Sequence, residues 1–360
     1  MQNEMLGEDR LARFKAEFVA DLPVHAISLL LLTGCLVLFA FYGLGVGPDL
    51  IALNAKLYAN AAFALIVIDL AWLLVRNKPD RPTRFLIDTY RARVNDPVFV
   101  ARLPLLGIAI VFMPFFSKMK SMIPLFNTFD WDSTFIAWDR VIFLGYDAWQ
   151  VLQPVFGYPF VSAAMAGLYH VWMLLIYIGT LFFIFYPAAN QMRRHYLLGF
   201  VLIWTLIGGV MATALASVGP VFMSPIMGDP TFDAQMAYLN AANEQVPILT
   251  LHVQEMLLGW YHAGDRGLGS GITAMPSMHV SMAFLFWLAI RRVSANAGRF
   301  FFAFMALIWI GSVHLAYHYA VDGLVSVIAT AFVWGFVNAI IRGWDVWREK
   351  VANSGELAAA

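Results

Sequence analysis

Apolar residues run through this chain in long unbroken stretches, without the one-faced or alternating patterns of a water-soluble fold. Eight stretches, near 24–46, 53–75, 101–117, 163–186, 196–216, 276–290, 300–317 and 323–341, are candidates to span a bilayer. Its hydrocarbon core takes about 20 helical residues. The pattern predicts an all-α fold, a multi-pass transmembrane helical bundle of about eight helices. The sixth stretch is short and opens on a polar motif, which places that motif where the helix enters the membrane. Between the runs, 76–100 reads as a link with a surface-lying helix. Residues 118–160 mix Asp130, Asp132, Asp139, Arg140 and Asp147 with Trp131, Trp138 and Trp149, as short helices in the headgroup zone do. Residues 217–275 carry Pro220, Pro225 and Pro230, a helix-like stretch to Tyr261, and then Gly267, Gly269 and Gly271. Long outer segments of this kind are usually lids or substrate-binding elements.

Composition adds that the chain has little polar surface to wet: 61% of its 360 residues are hydrophobic and 13% charged, which excludes a soluble globular domain. With 23 basic and 23 acidic residues the formal charge is zero and gives no case for a nucleic-acid partner. One cysteine, Cys35, excludes an intrachain disulfide. No cleavable signal peptide is expected, because the first apolar run is too long and follows a charged segment.

Charge distribution changes the picture more than its sum. Eighteen of the 23 basic residues, among them Arg10, Arg76, Arg102, Arg193, Arg194, Arg291 and Arg348, fall at ends assigned to the cytoplasm. Lys56, Lys118, Lys120, Arg140 and Arg266 fall on the other side. Both termini are therefore expected in the cytoplasm and the polar motifs on the non-cytoplasmic face, in a bacterial inner membrane. Three regions follow: 1–99, an N-terminal cytoplasmic segment with two helices and a link; 100–345, a six-helix core; and 346–360, a cytoplasmic tail.

Two motifs carry the candidate chemistry, Ala274-Met275-Pro276-Ser277-Met278-His279 and His318-Tyr319-Ala320-Val321-Asp322. Ionisable side chains at helix ends in so apolar a chain are costly, and function is the default explanation. Histidine serves as nucleophile or acid near neutral pH, and a carboxylate four residues on orients its ring and stabilises its cation. His318 is thus the candidate nucleophile, Asp322 its support and His279 the general acid. Pro276 and Ser277 begin a helix, where free backbone amides and the serine hydroxyl make a seat for an anion such as phosphate. Further substrate- and phosphate-binding candidates are Lys118, Lys120, Arg266 and His314, followed by Arg140. His314 also forms an i, i+4, i+8 ladder with His318 and Asp322, which together with His279 leaves a transition-metal site open. Tyr169-His170 either lines the pocket or serves packing and interhelical hydrogen bonding. Asp69, His252 and His262 read as ordinary interfacial or loop residues.

These motifs resemble the second and third signatures of the type 2 phosphatidic acid phosphatase superfamily, Pro-Ser-x-His and His-x-x-x-Asp. Ala274-Met275 ahead of the first and Tyr319 after His318 are similar to its inositol phosphorylceramide synthase-like branch. The resemblance covers about 100–341. It implies a role in sphingolipid or other lipid metabolism, in which His318 attacks phosphorus to give a phosphohistidine, Asp322 supports it, His279 protonates the leaving group, and no metal is needed. Two departures stand out. The first signature, a lysine six residues ahead of Arg-Pro, is absent from the outer end of helix five, which reads Ser217-Val218-Gly219-Pro220. An arginine often found six residues before the second histidine is Ser312.

The residues therefore describe a membrane enzyme that breaks a phosphoester bond of a phospholipid or polyprenyl phosphate, with no cofactor. Transfer and hydrolysis share the first attack and differ in whether an acceptor pocket excludes water. Two other classes stay open: a lipid or headgroup carrier without catalysis, against which stands the lack of an inverted repeat, and a metal-dependent membrane enzyme. An accessory subunit is not legible in the sequence.

Overall fold

Proline sets many of the helix starts. It lacks the N–H that a first turn leaves unbonded and holds φ near the helical value, and Pro48, Pro82, Pro97, Pro159 and Pro187 each open a helix. The computed structural model describes residues 2–263 and 271–354, so Arg266, Gly267 and Gly269 lie outside the described residues. In chain order the helices are α1 Gln2–Ala20, α2 Leu22–Phe41, α3 Pro48–Asn77, α4 Pro82–Val94, α5 Pro97–Lys120, α6 Asp132–Ile142 and α7 Ala148–Phe156. They continue with α8 Pro159–Phe185, α9 Pro187–Ala214, α10 Asp233–Gln245, α11 Leu249–Ala263, α12 Met278–Ile290, α13 Ala295–His314 and α14 Ala320–Asn353. Helices α2, α3, α5, α8, α9, α13 and α14 are long and apolar enough to cross a membrane. The chain is thus an all-α, multi-pass membrane protein.

The sixth apolar run departs from its neighbours for a physical reason. Helix α12 has 13 residues, nearly all buried, and rises about 20 Å, short of the roughly 30 Å hydrocarbon core. It sits among α8, α9, α13 and α14. The extended residues ahead of it bond to protein: Ala274 N–H donates to Ser217 O at 3.0 Å and Met275 N–H to Ser217 Oγ at 3.2 Å. Irregular backbone at such depth survives where protein surrounds it. Helix α9 widens into π-helical turns over Ile203–Met211. A methyl group on Gly208 would lie 2.9 Å from Met278 Sδ and from Phe116, and one on Gly209 would collide with Met119. Glycine there lets α9 close against α5 and the start of α12.

Helix α1 is charged, so hydropathy gave no sign of it. It packs beside α5 and turns Glu17 toward Arg102 and Arg193, at 2.6 and 2.8 Å. Arg193 also reaches Asp21 at 3.0 Å, and Arg102 donates to Ile184 O at 3.2 Å and Asn190 Oδ1 at 2.9 Å. Both arginines and Asp21 are buried. Burial pushes the Asp21 carboxyl above its ordinary range, against the pull of Arg193. Two residues of the positive-inside pattern are therefore buried ion-pair partners. Nearby, Arg194 grips Asp345 at 2.6 and 3.0 Å and the Trp344 indole donates to Val19 O at 3.1 Å. Helix α14 runs unbroken past residue 345 to Asn353.

At the other end the described parts of 118–160 and 217–275 hold short helices: α6 packs on α14, α7 on α13, and α10 and α11 on α8. Breaking a buried ion pair by removing one partner costs about 3–5 kcal/mol. Glu17→Ala strips a partner from both Arg102 and Arg193, and thermal melts in detergent should show it melting well below the wild type. The exposed Glu8→Ala, within about 0.5 kcal/mol, should melt like the wild type.

Candidate active site

The second motif stands where a helix stops and another begins. Helix α13 ends at His314, and Leu315 N–H bonds back to Gly311 O at 2.9 Å. Ala316 then takes φ of +61°, a left-handed conformation costing an L-residue about 1 kcal/mol. Tyr317 and His318 N–H both return to Ser312 O, at 2.9 and 3.2 Å. His318 is therefore outside any helix, and α14 starts two residues later.

The predicted pairing of His318 with Asp322 is made by helix-start geometry. His318 Nδ1 lies 3.1 Å from Asp322 Oδ2, and the same oxygen accepts Tyr319 N–H at 3.1 Å. A carboxylate only accepts, so in the neutral ring Nδ1 is the nitrogen that carries the proton and Nε2 the one with the lone pair. Asp322 is fully buried, His318 nearly so. The His279 ring centroid is 6.2 Å from that of His318. Tyr169 and Trp172 flank His279, each 4.0 Å from its centroid, and its titratable neighbours are His318, Lys120 and His170. Ser277 caps α12, its Oγ accepting Val280 N–H at 3.4 Å. Ser326 Oγ lies 2.9 Å from Ser277 O and 2.6 Å from Asp322 O, bridging the two motifs.

Helix α6 supplies two buried carboxylates that spacing did not single out. Asp139 accepts the N–H groups of Ala320 and Val321, both at 2.8 Å, which are orphan donors of the first turn of α14. Asp132 accepts Val218 and Gly219 N–H at 2.9 Å each and the Tyr319 hydroxyl at 2.7 Å. Burial raises the Asp139 carboxyl to about 6, against the lowering effect of its two amides. The same cause raises Asp132, opposed by its bonds from Tyr319, Gly219 and Val218. Burial and the Asp132 carboxylate push the Tyr319 phenol far above its usual range, and burial also raises Tyr317. Seven residues apart on a helix, Asp132 and Asp139 share one face, the signal that was available in the sequence.

Ser217-Val218-Gly219-Pro220, where the family's first signature is missing, joins the motifs structurally. Gly219 has φ of +81°, and a Cβ there would lie 2.8 Å from Ala274 Cβ and 2.9 Å from Tyr317 O. Only glycine fits between the two motif loops.

Among the cationic candidates, Lys120 ends α5 near His279, and Lys118 lies two residues earlier. Arg140 is taken by Asp147 at 2.7 Å, which raises its pKa, and Arg266 lies outside the described residues. His314 is engaged by another side chain. The break after α13 dissolves the ladder, and His314 Nε2 sits 2.8 Å from Ser162 Oγ, itself 2.8 Å from the Tyr238 hydroxyl. Among the described residues no group of three His, Cys, Asp or Glu is placed to hold a metal ion.

Removing the Asp139 carboxylate leaves two buried amides unpaired, at about 1–3 kcal/mol. Asp139→Ala is expected to lower the melting temperature, while Val141→Ala, an exposed neighbour, leaves it nearly unchanged; paired thermal melts check this.

Compared with known proteins, the chain matches no curated protein and no solved structure. The family model described as PAP2 superfamily matches residues 133–336, over half the chain, and takes in both motifs and most of α6. On that match, the chain belongs to the PAP2 superfamily.

Proposed function

We propose that this protein is a membrane lipid phosphotransferase or phosphatase that cleaves a phosphoester bond of a phospholipid or polyprenyl phosphate through a phosphohistidine on His318. The observation that carries this is the orientation of His318: Nδ1 is committed to the buried Asp322, which leaves Nε2 as the nucleophile, with His279 close by. In the first step Nε2 forms a bond to phosphorus as the bond to the leaving oxygen breaks, and His279 gives that oxygen a proton. Asp322 balances the positive charge on His318. In the second step water or an acceptor hydroxyl passes its proton to His279 and bonds to phosphorus, the N–P bond breaks, and His318 is restored. Lys120, Lys118 and Arg266, with the amides and hydroxyl at Ser277, are the groups assigned to the phosphate.

Transfer to an acceptor is the finer reading. It rests on Ala274-Met275 and Tyr319, which are similar to the inositol phosphorylceramide synthase-like branch, and on a second space beside the site. A cavity of about 250 Å³ lies between α10 and α11, walled by Phe222, Met236, Leu251 and Leu258, with Asp233 and Glu255 among its polar groups. Pro220 is a wall both of this cavity and of a small one beside His318. Such a space suits an acceptor alcohol or headgroup. The distribution of basic residues supports a site on the non-cytoplasmic face.

The test is an assay of the detergent-solubilised chain against phospholipids and polyprenyl phosphates, following free phosphate and new phosphorylated lipid by mass spectrometry. His318→Ala should lose about 10³-fold or more of turnover, and His279→Ala about 10²- to 10⁴-fold. Full turnover by His318→Ala would remove the nucleophile assignment. Incubation with a chelator is expected to leave the rate unchanged; a loss restored by zinc or iron would point to the metal-dependent alternative.

A further inference from the structure

Two hydrogen-bond donors in the wall of the site have no partner among the described residues. Tyr169 and Trp172, three residues apart on α8, press their rings on His279, and both are buried. The Tyr169 hydroxyl and the Trp172 indole nitrogen have no hydrogen-bond partner among the described residues. Buried donors are rarely left unpaired, and each exception calls for an explanation such as a ligand. Tyr169 is the more informative of the two. Its ring stacks with two neighbours, His279 at 4.0 Å and 21° and Tyr317 at 5.1 Å and 11°, which together fix its direction. Its hydroxyl is within electrostatic reach of Asp322, whose Oδ1 is also buried and without a partner among the described residues. The phenol is thus placed between the two motifs. It stands ten residues into α8, about 15 Å below the helix start.

The cations of the family pattern are missing nearby. Ser312 stands where an arginine is often found and turns its hydroxyl back to Trp309 O at 2.7 Å. Ser217–Pro220 is occupied in joining the motif loops. A neutral donor in the wall fits this gap.

We propose that Tyr169 is a further catalytic residue, whose phenolic O–H donates a hydrogen bond to a non-bridging oxygen of the phosphoryl group as it moves from its leaving oxygen to His318. The assignment rests on the phosphoryl-transfer reading above. The proton stays on the phenol throughout, and the bond strengthens as negative charge gathers on the oxygen, which places its effect in the transition state.

Tyr169→Phe keeps the stacking on His279 and Tyr317 and removes only the hydroxyl. That hydroxyl pairs with nothing in the described fold, so the variant should melt at or above the wild-type temperature. Its kcat should fall about 10²-fold, with KM changed little. Orthovanadate, which mimics the transferring group by becoming five-coordinate when a nucleophile binds it, should bind the variant at least about tenfold more weakly, read from the shift in melting temperature. Wild-type kcat with wild-type orthovanadate affinity would overturn the proposal. A variant melting several degrees below the wild type would also overturn it, since the hydroxyl would then be holding the fold. If the wild type turns over no phosphoester yet binds orthovanadate more tightly than the variant, the transfer reading fails and Tyr169 stands as an oxyanion-binding residue. No orthovanadate binding by the wild type overturns both.

Discussion

The first turn of α14 presents backbone N–H groups that no earlier turn of the helix can accept, packed within the protein, and carboxylates meet them. Asp139 takes Ala320 and Val321; Asp322 takes Tyr319 while also holding His318. Asp132 completes the set by binding the Tyr319 hydroxyl and the turn at Val218 and Gly219. Negative charge at a helix start is favourable in itself, so the reactive turn is placed where its ionisable partners cost least. The direction of the His318 ring is consequently set by backbone capping, and α6 acts as the bracket for the second motif and the turn at Val218 and Gly219.

How much of this was legible in the sequence follows from the range of each interaction. Hydropathy located the spans because each is a local property of about 20 residues. It missed α1, whose residues are charged and whose partners, Arg102 and Arg193, lie far along the chain. The juxtaposition of His279 with His318 followed from alternating helix direction alone. The His314 ladder assumed that one helix continued through Leu315–Tyr319, where Ala316 in fact reverses the chain. The aromatic walls of His279 come from α8, and no spacing rule connects residue 169 to residue 279 before the bundle is built.

The missing first signature is a case in which absence of one residue type was informative only once the fold was known. A lysine or arginine in place of Gly219 would carry a side chain into Ala274 and the Tyr317 carbonyl. Closeness of the two motif loops and a cation at that position exclude one another. On the proposed function, the groups that meet the phosphate must then come from other elements, the end of α5 and the wall of α8.

The far end of the bundle has a consequence for the order in which the molecule is completed. Val19 and Trp344 are 325 positions apart, and Arg348 lies 3.5 Å from Ala16 O. A ribosome makes α1 before the helices it meets, and these contacts cannot exist until α14 has emerged. Glu17 and Asp21 must wait first for α5 and then for α9, and Ala16 and Val19 wait for α14. The clasp that closes the structure at that end therefore forms only after α14 is made, between segments 325 positions apart.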